Sequence, residues 1–206
     1  MEIKTFTTDE LVAILAAHAK WLRNEAGGVQ ANLRYADLRS ANLRYANLRY
    51  ADPRSADLRY ADLRYADLRY ANLQYANLQF ANLRYADLRY ANLRYANLQY
   101  ANMRYANLQF ANLRSAEMGE ATVLTYGESW LTYLNEVVPS LLCAGGKPLA
   151  DVATKEHWEC HDWNNCPMAA AFGVKSQDET PKLLRPRVDE FVQLFDAGLI
   201  PMPSAK

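Results

Sequence analysis

The chain has 206 residues, half of them hydrophobic by count, and a formal net charge of zero. It contains no run of 18 apolar residues, no basic and apolar leader opens it, and its three cysteines are too few and too odd a number for a disulfide framework. These features argue against a membrane-spanning or disulfide-stapled secreted protein, and the expectation is a soluble protein of one or two domains in a reducing cytoplasm. The charge is unevenly spread: residues 31–115 hold 13 Arg and 6 Asp, whereas the remainder holds 10 Lys or Arg against 17 Asp or Glu.

Residues 1–30 read as a helical cap. Thr7-Thr8-Asp9-Glu10 has the spacing of a capping box, and Leu11, Ile14, Leu15, His18 and Leu22 fall on one helical stripe with Trp21 beside it. Gly27-Gly28 is the expected stop. His18 reads as a half-buried helix histidine rather than a reactive group.

From Ala31 to Ser115 a five-residue phrase is repeated seventeen times. Position one is always Ala and position two is Asn or Asp. Position three is Leu except at Pro53 and Met103, position four is Arg or Gln, and position five is Tyr, Phe or Ser. On an α-helix five residues advance by about 500°, so successive Leu positions would drift by about 140° and smear around the axis. On a flat strand an odd period would send them to opposite faces. The remaining solution is a coil that turns a corner after every pentad, with Ala and Leu inward. Such units stack into a solenoid, because one alone cannot bury its apolar side.

The run A-(N/D)-L-x-x, as in Ala61-Asp62-Leu63-Arg64-Tyr65 and Ala91-Asn92-Leu93-Arg94-Tyr95, resembles the pentapeptide-repeat family. The resemblance implies a mainly β fold, a right-handed quadrilateral β-helix with four pentads per coil. The pentads do not set that number themselves, since Ser40, Ser55 and Ser115 show no period of twenty. With four per coil, residues twenty apart stack. One face then carries Arg44, Arg64, Arg84 and Arg104 beside Tyr45, Tyr65, Tyr85 and Tyr105, and a neighbouring face carries Tyr50, Tyr70, Tyr90 and Phe110. Each Arg is expected to lean on a Tyr ring or pair with an Asp. Pro53 reads as a local packing defect with a slight kink.

These columns form a candidate binding surface for a protein partner or a second copy of the chain. Arg interleaved with aromatics also suits nucleic acid, although scattered Asp and the absence of Lys argue against it. Some members of the family mimic DNA with strongly acidic rods and bind type II topoisomerases. This rod has the opposite sign, so that activity does not carry over.

The pentads fade at Ala116-Glu117-Met118-Gly119-Glu120, and residues 121–206 read as an α-rich cap or interaction domain. Thr122–Tyr126 reads as a strand or a last rung. Short helices are expected from Leu149 to Glu156 and after Asn165-Cys166-Pro167-Met168. A clearer one starts at Pro186, with Val188, Phe191, Val192 and Phe195 inward and Gly198 closing it. His157, Cys160, His161 and Cys166 offer nitrogen and sulfur to a zinc ion, and Cys160 or Cys166 beside a His and Asp162 could form a nucleophilic pair. The spacing favours neither, because Cys160 and His161 are adjacent and neither C-x2-C nor H-x3-H occurs. The favoured reading is a packed corner around Trp158 and Trp163 with no metal, cofactor or catalytic residue. Trp158–Met168 and Arg185–Pro201 resemble a C-terminal region of phage and prophage pentapeptide-repeat proteins, which implies a phage accessory protein acting in a bacterial host cell. The function expected is therefore a non-enzymatic protein-binding or scaffold module.

Overall fold

The computed structural model describes residues 3–152, 158 and 166–201, in two compact units, Met1–Trp130 and Leu131–Lys206. The first is a stack of square coils. Parallel backbone bridges join residues twenty apart, from Asn32–Asp52 through Asn92–Asn112, so four pentads close one coil. Each corner is a turn over positions three, four, five and the next one. Around Leu63 the amide of Ala66 donates to the Leu63 carbonyl at 3.1 Å. All seventeen fifth-position residues have φ between +55° and +63°, as a type II turn requires at its third residue. The left-handed region costs a residue with a Cβ about 1–2 kcal/mol. Burying one Leu side chain returns about 1.5–3 kcal/mol, and Leu63, Leu73, Leu83 and Leu93 are all fully buried.

Hydrogen bonding explains why position two is restricted to Asn or Asp. Of the five amides in a pentad, one closes the corner turn and three join neighbouring coils, as Asn82 to Ala61 and Leu63 to Asn82 do. The fourth-position amide has no backbone partner. In every one of the seventeen pentads it donates instead to the Oδ1 of its own position-two side chain, at 3.0–3.4 Å. Asn and Asp place a strong carbonyl or carboxylate acceptor at that reach, whereas Ser and Thr hydroxyls make the same local bond more weakly. The fold is less strand-like than the expected mainly β reading: among the described residues, regular strand is limited to β1, Lys4–Thr5, and β2, Ala36–Asp37, and the coils are joined by single-residue bridges. Each side is too short between corners to hold a longer strand.

Helix α1, Thr8–Leu22, opens with the expected reciprocal Thr7–Glu10 capping box. It ends five residues before the expected Gly27-Gly28 stop, because Asn24 takes the left-handed position. The Asn24 and Glu25 amides then donate back to Trp21 and Lys20, as in a Schellman closure. Gly28 has another role: a Cβ there would lie 2.4 Å from the Trp21 backbone nitrogen. His18 is fully buried rather than half-buried. Its Nδ1 accepts the Ala31 amide at 3.1 Å and its Nε2 lies 3.0 Å from the Arg49 carbonyl. Alongside, β1 pairs in parallel with β2.

Pro53 is buried and produces less disturbance than expected. It lacks the amide that would reach the Asn72 carbonyl, yet the Ser55–Gln74 and Asn72–Ala51 bonds on either side keep 2.9 and 3.0 Å. At the other end of the stack, Thr122–Tyr126 is a last rung, with Thr122 and Leu124 buried in the Ala and Leu places. One residue is inserted before it, so Asn102 pairs with Val123, twenty-one positions on. The chain then reverses, bridging Ser129 antiparallel to Val123. The unit consequently runs to Trp130, ten residues past the 120/121 boundary read from the pentads.

The second unit is helical. A helix not foreseen from the sequence runs as α2, Trp130–Thr132, a π-helical stretch, Tyr133–Val137, and α3, Val138–Cys143. Pro139 accounts for the π stretch, since it offers no amide to the Asn135 carbonyl and its ring would press on it. Leu149–Val152 forms α4, Pro167–Phe172 forms α5 with Cys166 as its N-cap, and Arg185–Asp196 forms α6. On α6 the buried residues are Val188, Phe191, Leu194 and Phe195; Leu194 holds the place expected of Val192. Gly198, at φ +70°, closes it. Trp158 packs edge-on against Phe191 and Phe195 and donates to the Ile200 carbonyl.

Candidate functional site

The outward residues of the coils form four columns of corners, and where successive corners of a column both carry rings, those rings stack from Tyr45 to Phe110. Tyr45, Tyr65, Tyr85 and Tyr105 stack at 4.8–5.0 Å between centroids. Tyr50, Tyr70, Tyr90 and Phe110 stack at 4.9 Å. These are the two columns expected from the pentads. Two more exist: Tyr60, Phe80 and Tyr100 at 4.7–4.9 Å, and Tyr75 with Tyr95 at 4.9 Å. Their signal was the same spacing of twenty, interrupted by Ser40, Ser55 and Ser115.

Which partner each Arg takes is decided two residues upstream. Where position two is Asp, its second oxygen holds the guanidinium of the same pentad: Arg39, Arg54, Arg59, Arg64, Arg69 and Arg89 sit 2.5–2.6 Å from Asp37, Asp52, Asp57, Asp62, Asp67 and Asp87. Burial pushes these carboxyls up, most strongly relative to the other causes at Asp52, Asp67 and Asp87, but the Arg partners and the fourth-position amides outweigh it and hold all six below the ordinary Asp value, Asp37 at about 2. Where position two is Asn there is no second acceptor. The guanidinium then lies over the Tyr that follows, at 4.9–5.7 Å for Arg34, Arg44, Arg49, Arg84, Arg94 and Arg104. Arg114 is followed by Ser115 and has no ring to cover.

The four faces therefore differ. The face beginning at Ala36 balances two Arg with two Asp over residues 31–115, whereas the face beginning at Ala41 sets four Arg against Asp62 alone. Only this Ala41 face has both an unbroken Arg column and an unbroken Tyr ladder. Its rings are exposed, from 40% at Tyr85 to 64% at Tyr45.

Of the metal and thiol candidates, His157, Cys160, His161 and Asp162 lie outside the described residues. Cys166 is buried at the start of α5. Among the described residues no group of His, Cys, Asp and Glu is arranged to hold a metal ion, and no helix is long and apolar enough to cross a membrane.

A square coil with one five-residue phrase per side defines a quadrilateral β-helical solenoid. Its repeats match the family model described as pentapeptide repeats, in overlapping stretches at residues 29–59, 36–74, 54–89 and 81–119. The segment from 29 to 119 thus belongs to the pentapeptide-repeat family, whose members form right-handed quadrilateral β-helices. Among solved structures, a pentapeptide repeat protein of the cyanobacterium Cyanothece 51142 is 38% identical, over 46% of this chain and 60% of that one, with a TM-score of 0.40. One from Nostoc PCC 7120 is 34% identical over 59% and 87%, with a TM-score of 0.33. A thylakoid-lumen pentapeptide repeat protein of Arabidopsis thaliana is 25% identical over 55% and 75%, with a TM-score of 0.39. No curated protein matches the chain.

Proposed function

We propose that the protein is a non-enzymatic protein-binding scaffold that presents its Ala41 face to an acidic partner protein inside a bacterial cell. The observation that carries this reading is the pairing of an unbroken Arg column with an unbroken, exposed Tyr ladder on one face. Arg44, Arg84 and Arg104 lie over rings rather than in short ion pairs with their own pentads. Arg44 Nε lies 3.9 Å from Asp62 and Arg104 Nη2 donates to the Tyr105 hydroxyl at 3.0 Å, so the terminal nitrogens of Arg84 are the ones best placed to turn to carboxylates of a partner. The Tyr rings offer rigid contact area at low entropic cost. In this reading α1 serves as a cap: His18 supplies the donor and acceptor that a preceding coil would have given to Arg49 and Ala31.

The six Arg–Asp pairs weigh against a nucleic acid partner, because nearly half of the Arg side chains of the rod already have a carboxylate. Cross-linking mass spectrometry in bacterial lysate tests the reading with two variants. Arg84→Glu/Arg104→Glu should lose the acidic cross-linked partner, and Arg39→Glu/Arg59→Glu, on the balanced face, should keep it. An identical set of cross-links from both would refute the assignment, and a low-salt gel shift with single-stranded DNA would transfer it to nucleic acid.

A further inference from the structure

The ladder on the Ala36 face is the flattest on the rod. Tyr60 and Phe80 are 4° from parallel, and Phe80 and Tyr100 are 3° from parallel. One coil below Tyr60 the ring is missing, because that corner is Ser40. The Ser40 backbone nevertheless has the same geometry as the aromatic corners, with φ of +57° against +61° at Tyr60. Tyr60 is 60% exposed, compared with 43% for Phe80 in the middle of the ladder.

The place of the missing ring is an open recess of about 590 Å³, lined by Thr5, Phe6, Asp37, Arg39, Ser40, Arg59 and Tyr60. Its far side comes from β1 and Phe6, the residue that follows it; among the described residues β1 pairs with β2 alone. Its charges are matched internally: Arg39 is held by Asp37 and Arg59 by Asp57, both at 2.6 Å, and Arg39 Nε lies 3.9 Å from Asp57. A recess with paired charges and one bare ring face does not select an anion. It selects a flat, neutral, aromatic group that can lie parallel to Tyr60 at the spacing of the ladder, where offset stacking is favourable.

We propose that this recess is a binding site for an aromatic side chain of a partner polypeptide, which takes the place in the ladder that Ser40 leaves open. The proposal is independent of the acidic-partner reading, since it concerns another face and another chemistry. It is tested on the full chain with p-cresol, the tyrosine side-chain analogue, followed by amide chemical shifts, with cyclohexanol as a non-planar control of similar size. Saturable shifts should centre on Ser40, Tyr60 and Phe6, and cyclohexanol should bind at least tenfold more weakly. Ser40→Tyr should fill the recess with the protein's own ring, raise the melting temperature and weaken p-cresol binding at least tenfold. Tyr60→Leu should weaken it similarly by removing the stacking face, and if that variant does not fold, Ser40→Tyr decides alone. The proposal is overturned if Ser40→Tyr binds p-cresol as the parent does, if cyclohexanol binds equally well, or if the shifts centre on other ladder ends such as Tyr45 and Phe110.

Discussion

His18 accepts the Ala31 amide hydrogen on Nδ1, which leaves the ring proton on Nε2, facing the Arg49 carbonyl. A second proton on the ring would break the Ala31 bond, and burial already holds the His18 pKa below its usual 6.5, with the Arg49 carbonyl opposing in part. The unfolded chain takes up a proton near pH 6.5 and the folded chain resists it. The stabilisation from His18 is therefore complete above pH 6.5 and lost as pH falls through its lowered folded value. The Asp carboxylates, with their pKa values lowered by Arg, lose theirs only below about pH 3.8. Melting temperature measured from pH 8 to 5 should fall for the parent. In His18→Leu the loss of both hydrogen bonds should cost about 2–4 kcal/mol, and the His18 part of that pH dependence should vanish.

Exchanging Asn for Asp at position two should move an Arg. In Asn82→Asp the new carboxylate should draw Arg84 off the Tyr85 ring and give an acceptor to its Nε, which is shielded and without a hydrogen bond. Chemical denaturation should show a gain of about 0.5–1 kcal/mol, in keeping with a partly exposed ion pair. The same variant should bind an acidic partner more weakly, since the face loses a free cation. Unchanged Arg84 side-chain resonances would contradict the rule that position two chooses the Arg partner.

Pro53→Leu should restore the amide that reaches the Asn72 carbonyl. One recovered ladder bond contributes about 0.5–1.5 kcal/mol, and the neighbouring bonds already hold the correct spacing. Urea unfolding should show a higher midpoint with an unchanged slope.

Two truncations in one pentad should separate core from corner. Leu73→Ala opens a void in a fully buried column and should cost about 2–5 kcal/mol. Asn72→Ala strands the Gln74 amide, now held by the Asn72 Oδ1 at 3.3 Å, and should cost about 1–2 kcal/mol in the same denaturation assay.

Much of the molecule is written locally. The strict period of five rules out helix and flat strand, places Ala and Leu inside, and puts every fifth residue at a corner. The choice of Asn or Asp even determines the partner of the next Arg, because both groups lie within three residues of each other. Capping by Thr7 and Glu10 is local in the same sense.

What the chain could not announce depends on contacts between distant residues. Four sides per coil follow from how successive corners add up in space, and until that number is known no ring has an assigned neighbour. The recess under Tyr60 exists only because the twenty-residue coil sets Ser40 beneath it and β1 brings Phe6 alongside. His18 looked like an ordinary helix residue because its partners, Ala31 and Arg49, lie 13 and 31 positions away. The helix from Trp130 to Cys143 was hidden by Pro139, which breaks local helical propensity and is accommodated only by a π-helical turn that tertiary packing supports.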